Sequence, residues 1–340
     1  MDEVSIIGID LAKRSFQLHG AGADGSVVFR KKLSRGKLLG FVASQPRCVV
    51  AMEACASAHH WGREIARLGH EVRLIAPIYV KPFVKRQKND AADAEAICEA
   101  AQRPTMRFVA VKGEEQQARA MLFRTRDLLV RQRTQTINAL RGHLAEFGVI
   151  APQGKAHVGR LASAVEDVAS SLPEPVRALG TLLLGQIADL DVKIAGLEKE
   201  IHIQAREDED AARLMTIPGI GPITAMAIQA CAPPMESFRC GRDFAAWLGL
   251  VPRQHSTGGK PLLGKISKMG PRDLRRLLVC GAMAVVRAAV RRGETKDPWL
   301  ARMLARKPRM LVAVALANRM ARIAWALTVK KEVWRAPAAA

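Results

Sequence analysis

Apolar and polar positions divide the chain into an alternating first third and a helical remainder. Residues 4–10 (Val-Ser-Ile-Ile-Gly-Ile-Asp) form an apolar run closed by a carboxylate, which predicts a buried strand carrying Asp10 at its C-terminal end. Gln17–Gly20 and Ser26–Phe29 flank Asp24-Gly25, the dipeptide signature of a hairpin turn. A second apolar run, residues 48–53, ends on Glu53. Residues 54–69 then read as a helix with Trp61, Ile65 and Leu68 on one face, and residues 71–76 as a strand closed by Pro77. This β-β-α-β order predicts an α/β domain with a mostly parallel central sheet, in which sites form at the carboxyl ends of strands. Residues 85–90 are polar and basic, and residues 91–102 form an Ala-rich helix.

From residue 114 onward the period is helical. Residues 114–147 carry an interrupted stripe of Leu122, Leu129, Ile137, Leu140, Leu144 and Phe147, with arginines on the other faces, and Gly148 and Pro152 end the run. Leu183, Ile187, Leu190, Ile194, Leu197 and Ile201 recur at alternating spacings of four and three, a heptad seam. A heptad does not choose its partner, so pairing within one chain and pairing between chains both remain open. Residues 217–222 (Ile-Pro-Gly-Ile-Gly-Pro) read as the turn of a helix-hairpin-helix, whose Gly219 and Gly221 amides are candidates to hold a DNA phosphate. Residues 244–250 form a short helix, 272–292 and 308–328 long ones, and 334–340 a disordered tail. The predicted organisation is 1–110, α/β; 111–207, a helical coiled-coil arm; 208–330, mostly helical; and 331–340, a tail.

Charge sharpens this picture. The chain of 340 residues carries a formal net charge of +21. Residues 251–340 hold 20 Lys and Arg against 4 Asp and Glu, whereas residues 111–250 hold 16 against 17. A positive field so concentrated suits a polyanion, because clustered cations release counterions from phosphates. Cationic candidates for nucleic-acid contact are Lys13, Lys85, Arg86, Lys88, Arg253, Lys260, Lys268, Arg275 and Arg276, joined by His255 and the loop glycine Gly258. The six cysteines show no CxxC spacing and read as reduced, mostly buried residues of a cytoplasmic protein. The start opens no secretory signal and no apolar run reaches bilayer-spanning length, so a membrane partner is not expected.

Candidate chemistry rests on the acids. Asp10 and Glu53 end strands, and Asp90 and Asp93 stand three apart at a helix start, on one side of it. Taken singly, Asp90 reads as a cap and Asp93 as a first-turn dipole partner. Four carboxylates converging on one place would repel unless a divalent cation sat among them, and hard oxygen ligands suit Mg²⁺ or Mn²⁺. Two such ions can clamp the attacking and leaving oxygens of a phosphodiester. The stretch Pro252-Arg-Gln-His-Ser-Thr-Gly-Gly-Lys260 adds hydroxyls, a histidine, cations and glycines that let backbone approach phosphate.

These motifs together (Ile-Gly-Ile-Asp10-Leu-Ala-Lys, Met-Glu53-Ala-Cys, Lys-Asn-Asp90-Ala-Ala-Asp93-Ala-Glu, Ile-Pro-Gly-Ile-Gly-Pro222 and Trp-Leu-Gly-Leu-Val-Pro-Arg-Gln-His-Ser256-Thr-Gly-Gly-Lys) resemble the DEDD transposases of insertion sequences. That family is related to Piv-type invertases and includes bridge-RNA-guided recombinases; the resemblance runs from about residue 4 to 328. It implies a RuvC-like, RNase H-like N-terminal domain, a coiled coil and a C-terminal transposase domain. It further implies Mg²⁺ on Asp10, Glu53, Asp90 and Asp93, and a serine that links covalently to a DNA 5′-phosphate. The matching motif offers Ser256, with Thr257 as the alternative hydroxyl in the register where the hydroxyl directly precedes glycine. The implied partners are donor and target DNA, an element-encoded guide RNA, and further copies of the chain, from dimer to tetramer, at the bacterial nucleoid. A metal-dependent, structure-specific nuclease using water is the alternative reading, and a non-catalytic architectural protein a third.

Overall fold

The computed structural model describes residues 3–84, 90–295 and 297–336, with the Asp90 side chain outside that description. The chain divides into two compact units, Met1–Glu115 and Gln116–Ala340.

The first unit is built on a six-stranded sheet: β1 (Ile6–Asp10), β2 (Ser15–Ala21), β3 (Val27–Ser34), β4 (Val49–Glu53), β5 (Glu71–Ile75) and β6 (Phe108–Val109). The order is β3-β2-β1-β4-β5-β6. Only the β1–β4 and β4–β5 pairs are parallel; β1–β2, β2–β3 and β5–β6 are antiparallel. The sheet is therefore mixed rather than mostly parallel. The short connections β1–β2 and β2–β3 allow only hairpin pairing, while β1 and β4 are joined by a crossover long enough to run parallel.

Helices cover both faces. Ile7, Ile9, Phe16, Leu18, Val50, Met52 and Leu74 point to one, where α1 (Leu38–Ala43) and α2 (Ala58–Arg67) lay down Leu38, Val42, Trp61 and Ile65. Trp61 meets Phe16 edge-on at 5.2 Å. Ile6, Ala51 and Ile75 face the other side, together with Val80 of α3 (Pro77–Val80) and Ala96, Ile97 and Ala100 of α4 (Asp90–Ala101).

The second unit takes all but the first two residues of α5 (Glu114–Ala145), followed by α6 (Val158–Glu166) and α7 (Glu174–Glu207). The heptad seam closes within the chain. Ile187, Ile194 and Ile201 are buried, Arg126–Glu198 and Arg133–Asp191 join α5 to α7 at 2.5 Å each, and Arg119 meets Asp208, just past the end of α7, at 2.7 Å. Leu183, Leu190 and Leu197 are half-buried.

Then come α8 (Glu209–Met215), α9 (Pro222–Cys231), α10 (Gly241–Trp247), β7 (Pro252–Gln254), β8 (Leu263–Ile266), α11 (Arg272–Arg292), α12 (Pro298–Arg306) and α13 (Arg309–Lys330). The helices among them share one core, with Leu214, Phe244, Leu248, Leu278, Val286, Leu316 and Met320 at its centre.

Three further expectations change on contact with this structure. By length and composition α13 is apolar enough to cross a membrane, contrary to the reading that no such run exists. Its Val312, Ala313, Ala317, Met320, Ala321 and Ala324 are buried in the core, and a helix enclosed on several sides needs such a sequence. Of the six cysteines, none of them in a disulfide, only Cys48 and Cys98 are buried and Cys280 is exposed. Finally, part of the segment read as a disordered tail is docked. The Trp334 amide donates to Thr216 Oγ1 at 2.9 Å, and Trp334 lines a largely apolar cavity of about 420 Å³ with Ile217, Leu316 and Met320. Residues 337–340 lie outside the described residues.

Candidate active site

Strand register places the acids. Ile9 pairs with Met52 in parallel, so Asp10 and Glu53 follow side by side at the carboxyl ends of β1 and β4. Glu53 pairs with Ile75, which faces α4, and Asp10 lies two residues beyond Gly8, which α4 covers. Both acids therefore belong to the α4 face. In the same row, Asp10 pairs with Gln17 and Gln17 with Lys32.

The approach of α4 depends on Gly8. A Cβ there would stand 2.3 Å from the Ala94 carbonyl oxygen and 2.8 Å from the Cys98 amide nitrogen. Asp93 precedes Ala94, so the missing side chain lets the helix carry Asp93 to the acids. Gly8→Ala is expected to push α4 outward and lower the melting temperature by several degrees, at about 1–3 kcal/mol for overpacking. Unchanged melting by circular dichroism would show that the helix yields freely.

Electrostatics reports the same proximity. Glu53 is raised above the ordinary carboxylate range, first by burial and then by the charge of Asp93. The Cys55 thiol is raised by burial, then by Glu53 and then by Asp10. Among the described residues no group of three or more Asp, Glu, His or Cys side chains forms a set that could hold a metal ion. Asp90 begins α4, with its side chain outside the described residues, as are Lys85, Arg86 and Lys88. The donors at this edge are carboxylate oxygens, which fits a hard divalent cation.

The hydroxyl-bearing loop is a hairpin. Pro252 pairs with Ile266 and Gln254 with Leu263, and the Lys260 amide donates to the Thr257 carbonyl at 3.1 Å. Gly258 (φ +57°) and Gly259 (φ +76°) make the turn with two left-handed residues, as a type I′ turn requires. Residues 252–265 are all exposed. Ser256 Oγ accepts hydrogen bonds from Gln254 Nε2 at 3.2 Å and from the Leu262 amide at 3.3 Å. The backbone of His255 is paired to Leu262, and Lys260 and Lys268 are exposed.

The other cationic candidates divide. Lys13 is exposed in the β1–β2 turn. Arg253 donates to the Ser267 carbonyl at 3.3 and 3.4 Å. Arg275 is bound instead to the carbonyls of Leu248 and Met269, both at 2.9 Å. Burial and neighbouring Arg272 lower its pKa. Arg276 bonds the buried Asp127 of α5. Gly219 (φ +91°) is turned inward against α11, where a Cβ on it would stand 2.8 Å from the Gly281 carbonyl oxygen, whereas Gly221 faces open space. Gly8, Cys55 and Gln254 escape sequence reasoning, since an isolated glycine, thiol or amide carries no pattern.

Comparison with known proteins agrees with this architecture. A model of the DEDD transposases of IS110 type matches residues 7–148, and a model described as the transposase IS116/IS110/IS902 family matches residues 211–297. A probable family 20 transposase of Pseudomonas aeruginosa is 50% identical over 334 residues, covering 98% of this chain and 99% of that one. The transposase for insertion sequence element IS1328 of Yersinia enterocolitica is 45% identical over 335 residues (98% and 99%). That for IS1111A of Coxiella burnetii is 39% identical over 336 (98% and 92%). The chain belongs to the DEDD, IS110-family transposases of insertion sequences. Enzymes of the DEDD group generally depend on divalent metal.

Proposed function

We propose that this transposase cuts, covalently holds and rejoins DNA strands, using Ser256 as nucleophile and the acids Asp10, Glu53, Asp90 and Asp93 as the Mg²⁺ (or Mn²⁺) ligands, under the guidance of a structured RNA encoded by the element. The observation that carries the reading is the hydrogen bonding of Ser256. Its oxygen accepts from Gln254 Nε2 and the Leu262 amide in an exposed hairpin. Donors already aimed at a hydroxyl oxygen stabilise negative charge as it develops there.

In the reaction Oγ bonds to phosphorus, the P–O3′ bond breaks and the 3′ oxygen leaves as a hydroxyl; reversal with a new 3′ hydroxyl rejoins a strand. The bound cation would supply Lewis-acid stabilisation of phosphoryl charge. Asp10 and Glu53, on adjacent strand ends, and Asp93, brought up by α4 over Gly8, form the rim that would hold it. The strand order β3-β2-β1-β4-β5, with acids on the two central strands, supports reading the first unit as RuvC-like. The excess of cations in residues 251–340 suits both DNA and guide RNA. Assembly into dimers or tetramers would bring the hydroxyl-bearing hairpin of one copy to the acids of another. The division into catalytic (1–110), arm (111–207) and transposase (208–330) segments belongs to the same proposal.

The test is denaturing electrophoresis after incubation with element-end DNA and the flanking transcript. Wild type and Thr257→Ala are expected to give a protein–DNA adduct, and Ser256→Ala none, with strand exchange reduced at least about a thousandfold. Free 5′-phosphate ends without adduct would favour water-dependent hydrolysis, and adduct from Ser256→Ala alone would move the nucleophile to Thr257.

A further inference from the structure

We propose that Arg275 is a positioning residue for strand exchange, clasping the two roots of the hairpin that carries Ser256, and that the adjoining Arg276 ties this clasp to the helical arm. The proposal rests on the reading of Ser256 as nucleophile.

The hairpin leaves the core through a narrow neck. The chain enters after Leu248 and returns at Met269, and Arg275 Nη1 donates to both of those carbonyls at 2.9 Å. The backbones around it are in direct contact. A Cβ on Gly249 (φ +70°) would stand 2.1 Å from the Met269 oxygen, and one on Gly270 (φ +75°) 1.8 Å from the Trp247 oxygen. The Lys268 amide donates to the Gly249 carbonyl at 3.1 Å and the Ser267 amide to the Val251 carbonyl at 2.8 Å. Asn318 Nδ2 donates to the Leu250 carbonyl on the entering root, 3.2 Å away.

Past the neck, residues 252–265 are all exposed within the chain, so the neck sets where the hairpin points. Ser256 lies six positions beyond Leu250, about 20 Å of extended chain. On a lever of that length a tilt of about 3° moves the hydroxyl by about 1 Å, a displacement of the size that costs about a hundredfold in rate.

Arg276, the next residue of α11, bonds Asp127 of α5. Asp127 is buried and also meets Arg131 at 3.4 Å. A buried carboxylate between two guanidiniums is costly to break. Two consecutive arginines thus join the hairpin neck on one side to the arm on the other, and a shift of α5 is transmitted to Ser256.

The test uses the full chain with Arg275→Gln and Arg275→Lys, beside wild type and Ser256→Ala. Three quantities are read: amide hydrogen exchange over residues 250–268, the single-turnover rate of adduct formation with element-end DNA and the flanking transcript, and DNA affinity. Arg275→Gln is expected to speed exchange in that segment about tenfold or more and to slow adduct formation about a hundredfold, with affinity within about twofold of wild type. Arg275→Lys, which keeps donors but not the fork, should recover part of the rate. Wild-type exchange across the neck overturns the proposal. So does a mobile hairpin with an undiminished adduct rate, and so does an affinity that falls in step with the rate, which would make Arg275 a nucleic-acid contact. Should Arg275→Gln fail to fold, Asp127→Asn serves, with about a tenfold loss of rate at unchanged affinity expected and no loss overturning the link to the arm. Full strand exchange by Ser256→Ala would remove the nucleophile assignment, and amide exchange would still decide the clasp.

Discussion

Glu53→Gln is expected to reduce strand cutting by about a thousandfold or more while raising the melting temperature at neutral pH. The loss follows from removing one carboxylate from a cation site whose charge stabilisation is worth ~4 kcal/mol of barrier. The gain follows from the direction of the Glu53 shift. Burial and Asp93 raise its pKa in the fold, so the folded chain binds its proton more readily than the unfolded chain does. Stability therefore falls as pH rises from the ordinary carboxylate value through the raised one, and the penalty is fully present above it. The neutral amide carries no such penalty. The difference in melting temperature between Glu53→Gln and wild type should shrink as pH falls through the carboxylate range and disappear below it. Millimolar Mg²⁺ should raise the melting temperature of wild type and not of the variant, since a ligand stabilises only the state that binds it. Equal cutting by both proteins, or an equal response to Mg²⁺, would remove Glu53 from the site.

Gly281→Ala is expected to destabilise the second unit by about 2 kcal/mol, although alanine is the better helix former by about 1 kcal/mol. Gly281 lies in the middle of α11, where a Cβ would stand 1.9 Å from the Gly219 carbonyl oxygen. That oxygen belongs to backbone held at φ +91° between the buried Ile217 and Ile220, so it has no easy retreat. The matched control is Gly142→Ala on α5, where nothing stands within 4 Å and a gain of up to about 1 kcal/mol is expected. Thermal melts should separate the two by roughly 6–12 °C, at about 2–4 °C per kcal/mol for a unit of this size. Similar melting of the two variants would show that the 217–221 turn is free to back away from α11.

Much of the first unit is legible in sequence because its strands are short apolar runs with clear ends, and Asp10 and Glu53 occupy those ends. The mixed pairing is not, since strand direction follows from connection lengths rather than from the residues of a strand. The heptad of α7 is plain, but its partner is fixed by arginines of α5 that look like any solvated face until Glu198, Asp191 and Asp208 are seen opposite them. Residues 252–266 read as a basic loop, yet Gly258-Gly259 between Thr257 and Lys260 is hairpin chemistry. Arg275 and Arg276 read as phosphate contacts because sequence does not distinguish a solvated guanidinium from one bound to carbonyls or to a buried aspartate. Gly8 sits in an apolar run like any other strand residue, and its role appears only when α4 is laid across it.

The ion pairs between α5 and α7 have a consequence for how the protein meets a polyanion. Residues 111–250 carry almost no net charge, and several of their arginines are already neutralised by partners on the same pair of helices. Such a stretch offers phosphate little to grip, which leaves adhesion, and its sensitivity to salt, to the cation-rich final quarter.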